Sequence, residues 1–369
     1  MENEKLFNSL EAEFHLKFFC EEPYINAEPL YEILENYSSS FKKYHILLTA
    51  INIGMFKILI HPTTLTDLTQ QLKIDFNFVF KICQGLKMLG LVVEDNGIYQ
   101  NTEVSNLYLL SDSPFYQGSV FENIQNGLVL WQNLTNTLKN GSVKMREEVF
   151  FADNLIHSLA EEALCGEMQR TVSIVTELPQ FKKANKLLDL GGGHGLYAIA
   201  FSKLNSNLQA YIYDFPNVIE DTKKYIEKYN ANRVEVIPGN FFKDSIGNDY
   251  DIIFLASNPG GKNSKLVLKI FESLKAGGIF VNKHSFYSKK EESKNILLDI
   301  EWNLTAFEGI SKGNKVYSFE GDLSYEEYME LLKEHFVVEK VIDAPAFAGY
   351  PLSKIGDTLD SKIIIAVKN

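Results

Sequence analysis

Cysteine is scarce in this sequence, and its spacing excludes two common uses of the residue. The 369 residues contain three cysteines, at positions 20, 83 and 165. An odd number of widely separated cysteines fits neither a disulfide framework nor a metal site. We therefore predict no metal site, and we expect buried thiols that behave as small hydrophobic side chains.

Long apolar runs and an excess of basic residues are also missing. No stretch approaches the roughly 18 consecutive apolar residues of a membrane span. The first residues, MENEKLFNSLEAEF, lack the basic start and apolar core of a signal peptide. With 36 Lys and Arg against 48 Asp and Glu, the net charge of −12 repels nucleic-acid phosphates and anionic membranes. We predict a cytoplasmic protein that binds neither nucleic acid nor membrane.

Hydrophobic residues, in contrast, make up 45% of the chain, enough for two domains with cores of their own. Residues 1–111 have the pattern of a helical domain. Apolar residues recur at helical spacing from Leu47 through Ile58, and two further helices are predicted to begin at Thr64 and Asp75. Asn96 and Gly97 then fit a tight turn between two strands. Three helices and a hairpin form a winged-helix pattern.

The third of these helices decides between two functions for such a domain. Between Asp75 and Gly90 its only cationic residues are Lys81 and Lys87. Helices that read a DNA groove need several cationic or amide side chains on one face. We therefore predict a packing or dimerisation role, and a ligand-sensing DNA-binding regulator remains the alternative.

The rest of the chain changes its pattern at about residue 181. Residues 112–180 are predicted to be a helical linker that supplies part of a pocket wall. Residues 181–369 alternate strands with helices, which predicts a Rossmann-like, doubly wound and mostly parallel sheet of seven strands. Two late strands, FVVEKVIDA and SKIIIAVKN, predict an antiparallel ending to this α/β domain.

The segment DLGGGHG joins the first of these strands to the next helix. It places Asp189, Gly191, Gly193 and Gly195 in the pattern D-x-G-x-G-x-G, whereas a dinucleotide fingerprint would need a third glycine where Leu196 stands. Bare backbone at a helix N-terminus lets a ligand approach closely. The alternative is a tight strand–helix turn with no ligand.

The second and third strands favour the ligand. Asp214 ends the second strand, where a carboxylate can accept both ribose hydroxyls of a nucleoside. The third strand leads into GNFF, in which Phe241 can stack on an adenine ring and Asn240 can accept from its amine. Because no P-loop lysine is present, the ligand is a nucleoside without a triphosphate, and S-adenosylmethionine fits.

Several segments, in order, resemble a known family. LLDLGGGHG, YDFPNV, IPGNFF, SLKAGGIFV and SYEEYMELLKEHF follow a winged-helix front, as in the class I S-adenosylmethionine-dependent small-molecule O-methyltransferases. That plant and bacterial group includes acetylserotonin O-methyltransferase-like enzymes, and the resemblance spans roughly residues 40–369. It implies O-methylation of a small aromatic or apolar acceptor, and a homodimer formed through the N-terminal domain.

The resemblance also implies site residues. Those for the cofactor are Asp189, Gly191, Gly193, Gly195, Asp214, Phe215, Asn240 and Phe241. Those for the acceptor pocket are Asn258, Trp302, Phe307 and Glu308; a plain amphipathic helix is the alternative for the segment 295–314 that contains the last three. The family normally has Asp where Asn240 stands, but an amide oxygen can still accept a hydrogen bond from the adenine amine.

The larger departure from the family follows the fourth strand. Members that methylate hydroxyls usually have HDW there, and its histidine removes the acceptor proton, whereas this chain has ASNPGGKN. A positioned general base is worth roughly 10²- to 10⁴-fold, or about 3 to 5 kcal/mol. We predict His284, near a position where the family often has a carboxylate, as a relocated catalytic base; an ordinary strand-end histidine is the alternative. The missing histidine also allows a non-methylating reaction, such as a rearrangement, decarboxylation or hydroxylation.

Overall fold

In the computed structural model, which describes residues 22–151, 154–348 and 361–369, the chain divides into two units at Ser113 and Pro114. The helices of the first unit are α1 (Glu28–Asn52), α2 (Met55–Ile58), α3 (Leu65–Leu72), α4 (Phe76–Met88) and α5 (Glu103–Tyr108). Its strands are β1 (Thr63–Thr64), β2 (Val92–Asp95) and β3 (Ile98–Asn101), paired antiparallel in the order β1-β3-β2.

The predicted starts of α3 and α4 are confirmed. Thr64 Oγ1 accepts the Asp67 N–H at 3.1 Å, and Asp75 Oδ1 accepts the Asn77 N–H at 2.9 Å, so each side chain satisfies an otherwise unpaired donor of its helix. The hairpin turn is confirmed as well, because Asn96 and Gly97 have φ of 50° and 82°.

The prediction of one continuous helix from Leu47 through Ile58 is wrong. Helix α1 ends at Asn52 and α2 begins at Met55, because Gly54 between them has φ +71°. A left-handed residue breaks the helical hydrogen-bond ladder although the apolar spacing continues across it. On α4, the residues Val79, Cys83 and Leu86 are buried, as expected for a packing helix.

The second unit contains eleven helices among its described residues. They are α6 (Gly118–Gln132), α7 (Leu134–Asn140), α8 (Glu147–Phe150), α9 (Asn154–Ala163), α10 (Glu167–Thr176), α11 (Pro179–Lys183), α12 (Leu196–Leu204), α13 (Pro216–Lys228), α14 (Ser264–Ser273), α15 (Ile296–Asn303) and α16 (Tyr325–His335). The strands are β4 (Val143–Met145), β5 (Lys186–Leu190), β6 (Gln209–Asp214), β7 (Val234–Pro238), β8 (Tyr250–Ala256), β9 (Leu274–Ser285), β10 (Thr305–Phe307), β11 (Phe336–Asp343) and β12 (Ser361–Lys368).

Seven of these strands form one sheet, in the order β11-β12-β9-β8-β5-β6-β7. All neighbours are parallel except β12, which runs antiparallel to both β9 and β11. The predicted mostly parallel sheet with an antiparallel ending is confirmed. Strands β4 and β10 form a separate parallel pair, which joins residues 143–145 to residues 305–307.

Hydrophobic cores cover both faces of the large sheet. Along β8, Ile252 and Phe254 belong to one core and Ile253 and Leu255 to the other, because successive side chains point to opposite faces. Helices α10 and α12 pack on the first face, and α14 and α16 on the second. This burial holds the carboxyl ends of β6, β5, β8 and β9 side by side at one edge.

Two of the three cysteines lie among the described residues. Among the described residues, Cys83 is buried and Cys165 is half-buried, while Cys20 lies outside that part of the chain. No helix within the described ranges has the length and apolarity needed to cross a membrane.

Candidate active site

The glycine loop between β5 and α12 needs glycine for both backbone and space. Gly191, Gly193 and Gly195 have φ of 67°, 51° and 73°, a region that other residues enter only with strain. A Cβ on Gly191 would lie 2.3 Å from Asn258 Nδ2, and one on Gly195 would lie 2.5 Å from Ile212 Cδ1. The loop is therefore held between β6 and the segment after β8.

The Asp214 carboxylate, at the end of β6, faces this loop. Its Oδ2 accepts the Gly193 N–H at 2.8 Å and its Oδ1 accepts the Phe215 N–H at 2.7 Å. Burial raises the pKa of Asp214 to about 6, whereas these two hydrogen bonds act to lower it. The second lone pair on each oxygen can still accept a ligand hydroxyl.

Two further titratable groups stabilise the loop. Asp189 is 1% exposed, and its Oδ2 accepts the Ala198 N–H of α12 at 3.3 Å. Burial raises the pKa of Asp189 to about 7. His194 Nδ1 accepts the Leu196 N–H at 3.1 Å, and burial lowers the pKa of His194 to about 4. The neutral ring therefore carries its proton on Nε2, so it is a hydrogen-bond donor there and not a base.

A cavity of about 800 Å³ begins at the loop and extends between α6, α8, α9 and α15, within the size range of small-molecule sites. The predicted cofactor residues that line it are Asp189, Gly191, Gly193, Asp214, Phe215 and Phe241. The predicted acceptor residues that line it are Asn258 and Trp302. The structure thus brings together residues from five separate segments of the sequence.

Four predicted site residues lie elsewhere. Gly195 is buried behind the loop, where it packs against Ile212. Asn240 and Glu308 line a smaller neighbouring cavity of about 330 Å³, and Phe307 packs in an aromatic cluster. Asn240 Oδ1 already accepts the Phe242 N–H at 2.9 Å, so one of its lone pairs is not available to an adenine amine.

His284 is the fifth predicted residue that does not line the cavity, and its surroundings do not favour a catalytic base. It is 1% exposed, with Nδ1 2.8 Å from Ser285 O and Nε2 2.7 Å from Asn258 O. Burial and the nearby Lys262 lower the pKa of His284 to about 3, although the two carbonyls act to raise it. Because both nitrogens face backbone carbonyls, neither offers a lone pair to a molecule in the cavity.

Sequence reasoning missed five charged residues in the cavity wall: Glu147, Glu162, Glu167, Lys283 and Glu301. Glu147 on α8 has its pKa raised to about 7, first by burial and then by the Asp214 charge. Glu167 on α10 and Lys283 on β9 form a buried ion pair. A lysine in the strand IFVNKH, directly after three apolar residues and an asparagine, was a signal for the pair, but nothing in the sequence pointed to Glu167 as its partner.

The far wall of the cavity is aromatic at Phe150 and Trp302, and Phe307 and Lys312, which do not line the cavity, contact these two rings. The rings of Phe150 and Trp302 lie 6.2 Å apart between centroids, and those of Phe150 and Phe307 lie 5.2 Å apart. Lys312 Nζ lies 4.0 Å from the Trp302 ring centroid and 4.1 Å from that of Phe307, and burial lowers its pKa to about 7. Such a wall favours a flat, apolar ligand.

The fold is a Rossmann-like sheet with a cavity at the carboxyl ends of its strands, and comparisons with known proteins identify the class of enzyme. An O-methyltransferase domain profile matches residues 149–315. The uncharacterised protein MJ0086 of Methanocaldococcus jannaschii is 40% identical over 87% of this chain and 88% of its own. Acetylserotonin O-methyltransferase of Gallus gallus is 27% identical over 67% of this chain and 78% of its own. Human N-acetylserotonin methyltransferase, solved in complex with S-adenosylmethionine, superposes with a TM-score of 0.62 at 20% identity, covering 95% of this chain and 99% of its own.

The chain therefore belongs to the O-methyltransferase family, and it is an S-adenosylmethionine-dependent methyltransferase. The residues present fit that cofactor. The loop backbone is kept bare by three positive φ angles, and the Asp214 carboxylate is aimed at it from the adjacent strand. Within the described ranges, no three His, Cys, Asp or Glu side chains are grouped so that they could hold a metal ion.

Proposed function

We propose that this enzyme methylates an oxygen of a small, flat and largely apolar acceptor, such as an aromatic metabolite. The observation that carries the proposal is the single cavity that runs from the glycine loop and Asp214 to the aromatic wall at Phe150 and Trp302. One continuous space allows a cofactor and an acceptor to be held in contact, which can supply much of the rate enhancement by orientation alone.

In this proposal each end of the cavity has its own residues. Gly191 and Gly193 present bare backbone to the methionine part of the cofactor, Asp214 accepts the ribose hydroxyls, and Phe241 packs against the adenine. When bound, S-adenosylmethionine supplies an electrophilic methyl group on a sulfonium centre. Asn258 and Trp302 hold the acceptor, and the aromatic wall excludes water from the reacting atoms.

The defining experiment measures two products together. Purified enzyme, S-adenosylmethionine and a panel of small phenols, enols, amines and thiols should yield S-adenosylhomocysteine and an O-methylated product in equal amounts. Calorimetry that shows no binding of S-adenosylhomocysteine to ligand-free protein would exclude the proposal. The absent histidine after β8 keeps one competing function open, and a converted substrate without S-adenosylhomocysteine would establish that non-methylating reaction instead.

We also propose that the enzyme is a cytoplasmic homodimer formed through its N-terminal domain. Supporting this, α1 exposes a set of large hydrophobic side chains, each more than half exposed: Leu30, Tyr31, Ile33, Leu34 and Tyr37. A face of this kind is typical of an interaction surface. Light scattering of the full chain should give twice the 42.0 kDa mass of one protomer.

Replacing Trp131 by alanine should weaken acceptor binding while leaving the cofactor in place. Trp131 lines the cavity, and its Nε1–H donates to Glu301 Oε2 at 2.7 Å, so it joins α6 to α15. The alanine variant loses the apolar contact between the indole ring and the bound acceptor. This loss should raise the acceptor KM about 10-fold, which corresponds to about 1.4 kcal/mol. Leu138→Ala, at a side chain 78% exposed and outside the cavity, is the matched control. Equal KM values for the two variants would contradict this assignment of the acceptor end.

Cofactor affinity should fall as the solution becomes more acidic. Ribose hydroxyls donate to the ionised carboxylate of Asp214. Cofactor binding therefore lowers the pKa of Asp214, which is about 6 in the free enzyme. The cofactor affinity is therefore at its maximum above the pKa of Asp214, and it drops by up to about tenfold per pH unit as the pH falls below that value. Glu147 and Asp189, each with a pKa of about 7, line the same cavity and add to the dependence for a cationic ligand.

Calorimetry between pH 5 and pH 8 measures this dependence. S-adenosylmethionine, which is cationic at sulfur, should lose affinity more steeply than S-adenosylhomocysteine as the three carboxyl groups become protonated. A flat affinity profile for both ligands across this range would contradict the role of Asp214.

A further inference from the structure

A buried ion pair forms part of the cavity wall at the carboxyl ends of β8 and β9. Lys283 and Glu167 are 3% and 5% exposed at their side chains, and their charged groups are in direct contact. Lys283 Nζ also donates to Ser257 Oγ at 3.1 Å, and all three residues line the cavity. Because well-packed hydrophobic residues would stabilise a fold at least as well as such a pair, stability does not account for it.

Lys283, Glu167 and Ser257 lie next to the glycine loop that is proposed to bind the cofactor. Ser257 follows β8, which adjoins β5 on the side away from β6, and the next residue, Asn258, packs against Gly191 of the glycine loop. Asp214 ends β6 on the other side of the loop. The glycine loop thus lies between these three residues on one side and the proposed ribose subsite at Asp214 on the other.

Ser257 has the geometry of a hydrogen-bond donor aimed at a ligand. Its φ of 53° places it in the left-handed region, which costs a non-glycine residue about 1 to 2 kcal/mol. Its N–H donates to Lys283 O at 2.7 Å, so β9 holds this conformation. The side chain is exposed to the cavity, and since Oγ accepts from Lys283, its own proton is available to a ligand oxygen.

We propose that Lys283 and Ser257 bind an acceptor oxygen as an anion and that Glu167 takes its proton, so that the acceptor is a phenol or an enol. This rests on the methyl transfer proposed above. The acceptor O–H bond breaks and its proton moves to the Glu167 carboxylate. An oxygen lone pair then forms a bond to the methyl carbon, the carbon–sulfur bond breaks with its electron pair remaining on sulfur, and Glu167 releases the proton to solvent.

The ion pair suits this proton transfer electrostatically. Before the transfer the Lys283 ammonium is balanced by the Glu167 carboxylate, and after it by the acceptor oxyanion. The buried charge is therefore always paired, which avoids the large cost of an isolated charge in the interior. This arrangement supplies the function of the histidine that is missing after β8.

The test removes both charges together, because a single substitution would leave one charge buried and unpaired. The double variant Lys283→Met/Glu167→Leu is assayed against phenols of increasing acidity. We expect S-adenosylhomocysteine affinity within about threefold of the wild type, and a kcat for weakly acidic phenols that is about 10²- to 10⁴-fold lower. For phenols already ionised at the assay pH the loss should shrink to less than about tenfold, since no proton remains to be removed.

Two further variants separate chemistry from folding. Ser257→Ala, at a side chain exposed to the cavity, should fold normally and reduce kcat by about tenfold for the same weakly acidic phenols. Lys262→Met/Asp322→Leu removes a second buried pair, 3.5 Å apart, that does not line the cavity. Any loss in that control should be the same for every phenol.

Each other outcome overturns the proposal in a recognisable way. A loss of S-adenosylhomocysteine affinity above tenfold in the Lys283→Met/Glu167→Leu variant would assign the pair to the cofactor. A loss of kcat that does not depend on phenol acidity, or wild-type activity only on amines or thiols, would overturn the proton transfer while methyl transfer stands. Absence of methylated product from every acceptor class would overturn the proposed function as well.

Discussion

Replacing Asp214 by asparagine should weaken S-adenosylhomocysteine binding by about 100-fold or more, as expected for the loss of two hydrogen bonds to a charged group at about 1.5 kcal/mol or more each. The carboxylate accepts the Gly193 N–H at one oxygen and the Phe215 N–H at the other. In asparagine one of these oxygens becomes an NH₂ group, so a donor faces a donor. The substitution therefore disturbs the loop as well as the ribose contact.

Calorimetry on ligand-free protein measures this effect, with Asp249→Asn as the matched control. Asp249 is exposed, has a left-handed φ of 59° that asparagine tolerates, and precedes β8 at the opposite edge of the sheet. We expect the Asp249→Asn variant to bind S-adenosylhomocysteine with the same affinity as the wild type. If the Asp214 variant also bound within threefold of the wild type, the ribose assignment would be wrong.

Replacing Gly195 by valine should lower the free energy of unfolding of the second unit by about 3 kcal/mol or more, combining left-handed strain with overpacking. The residue has φ +73°, and an added Cβ would lie 2.5 Å from Ile212 Cδ1 and 3.0 Å from Thr222 Cγ2. Both neighbours belong to regular elements, β6 and α13, so relief requires movement of the sheet or the helix.

Denaturant unfolding of the full chain measures the loss, and Gly277→Ala separates its two causes. Gly277 has a similar φ of 75° but nothing within 4 Å of an added Cβ. That control should lose only about 1 to 2 kcal/mol, the cost of the backbone conformation. Equal losses in the two variants would show that the contacts with β6 and α13 do not matter.

Much of the fold could be predicted from the sequence because its signals are local. Thr64 and Asp75 marked helix starts, and the alternation of strands with helices after residue 181 marked a mostly parallel sheet. Local signals fail where one residue outweighs a pattern. Gly54 ends a helix although the apolar spacing continues past it.

The proposed cofactor end of the cavity could be predicted for a related reason. The glycine loop and Asp214 lie at the ends of adjacent parallel strands, and the strand–helix alternation alone brings such ends together. Asn240 and Glu308 were placed in the same site, but the structure puts both in the smaller neighbouring cavity. Sequence order indicates which strand a residue follows, but not which side of a loop it occupies.

The sequence by itself determined the class of sheet, the glycine loop and the acid opposite it, because each depends on residues close together in the chain or on strand order. Only the tertiary structure decided that Lys283 and not His284 lines the cavity. Successive side chains of a strand point to opposite faces, so a one-residue difference reverses the assignment. Only the packing of α10 brought Glu167 to that lysine, since the partner of a buried charge is chosen by the three-dimensional fold and carries no mark in the sequence.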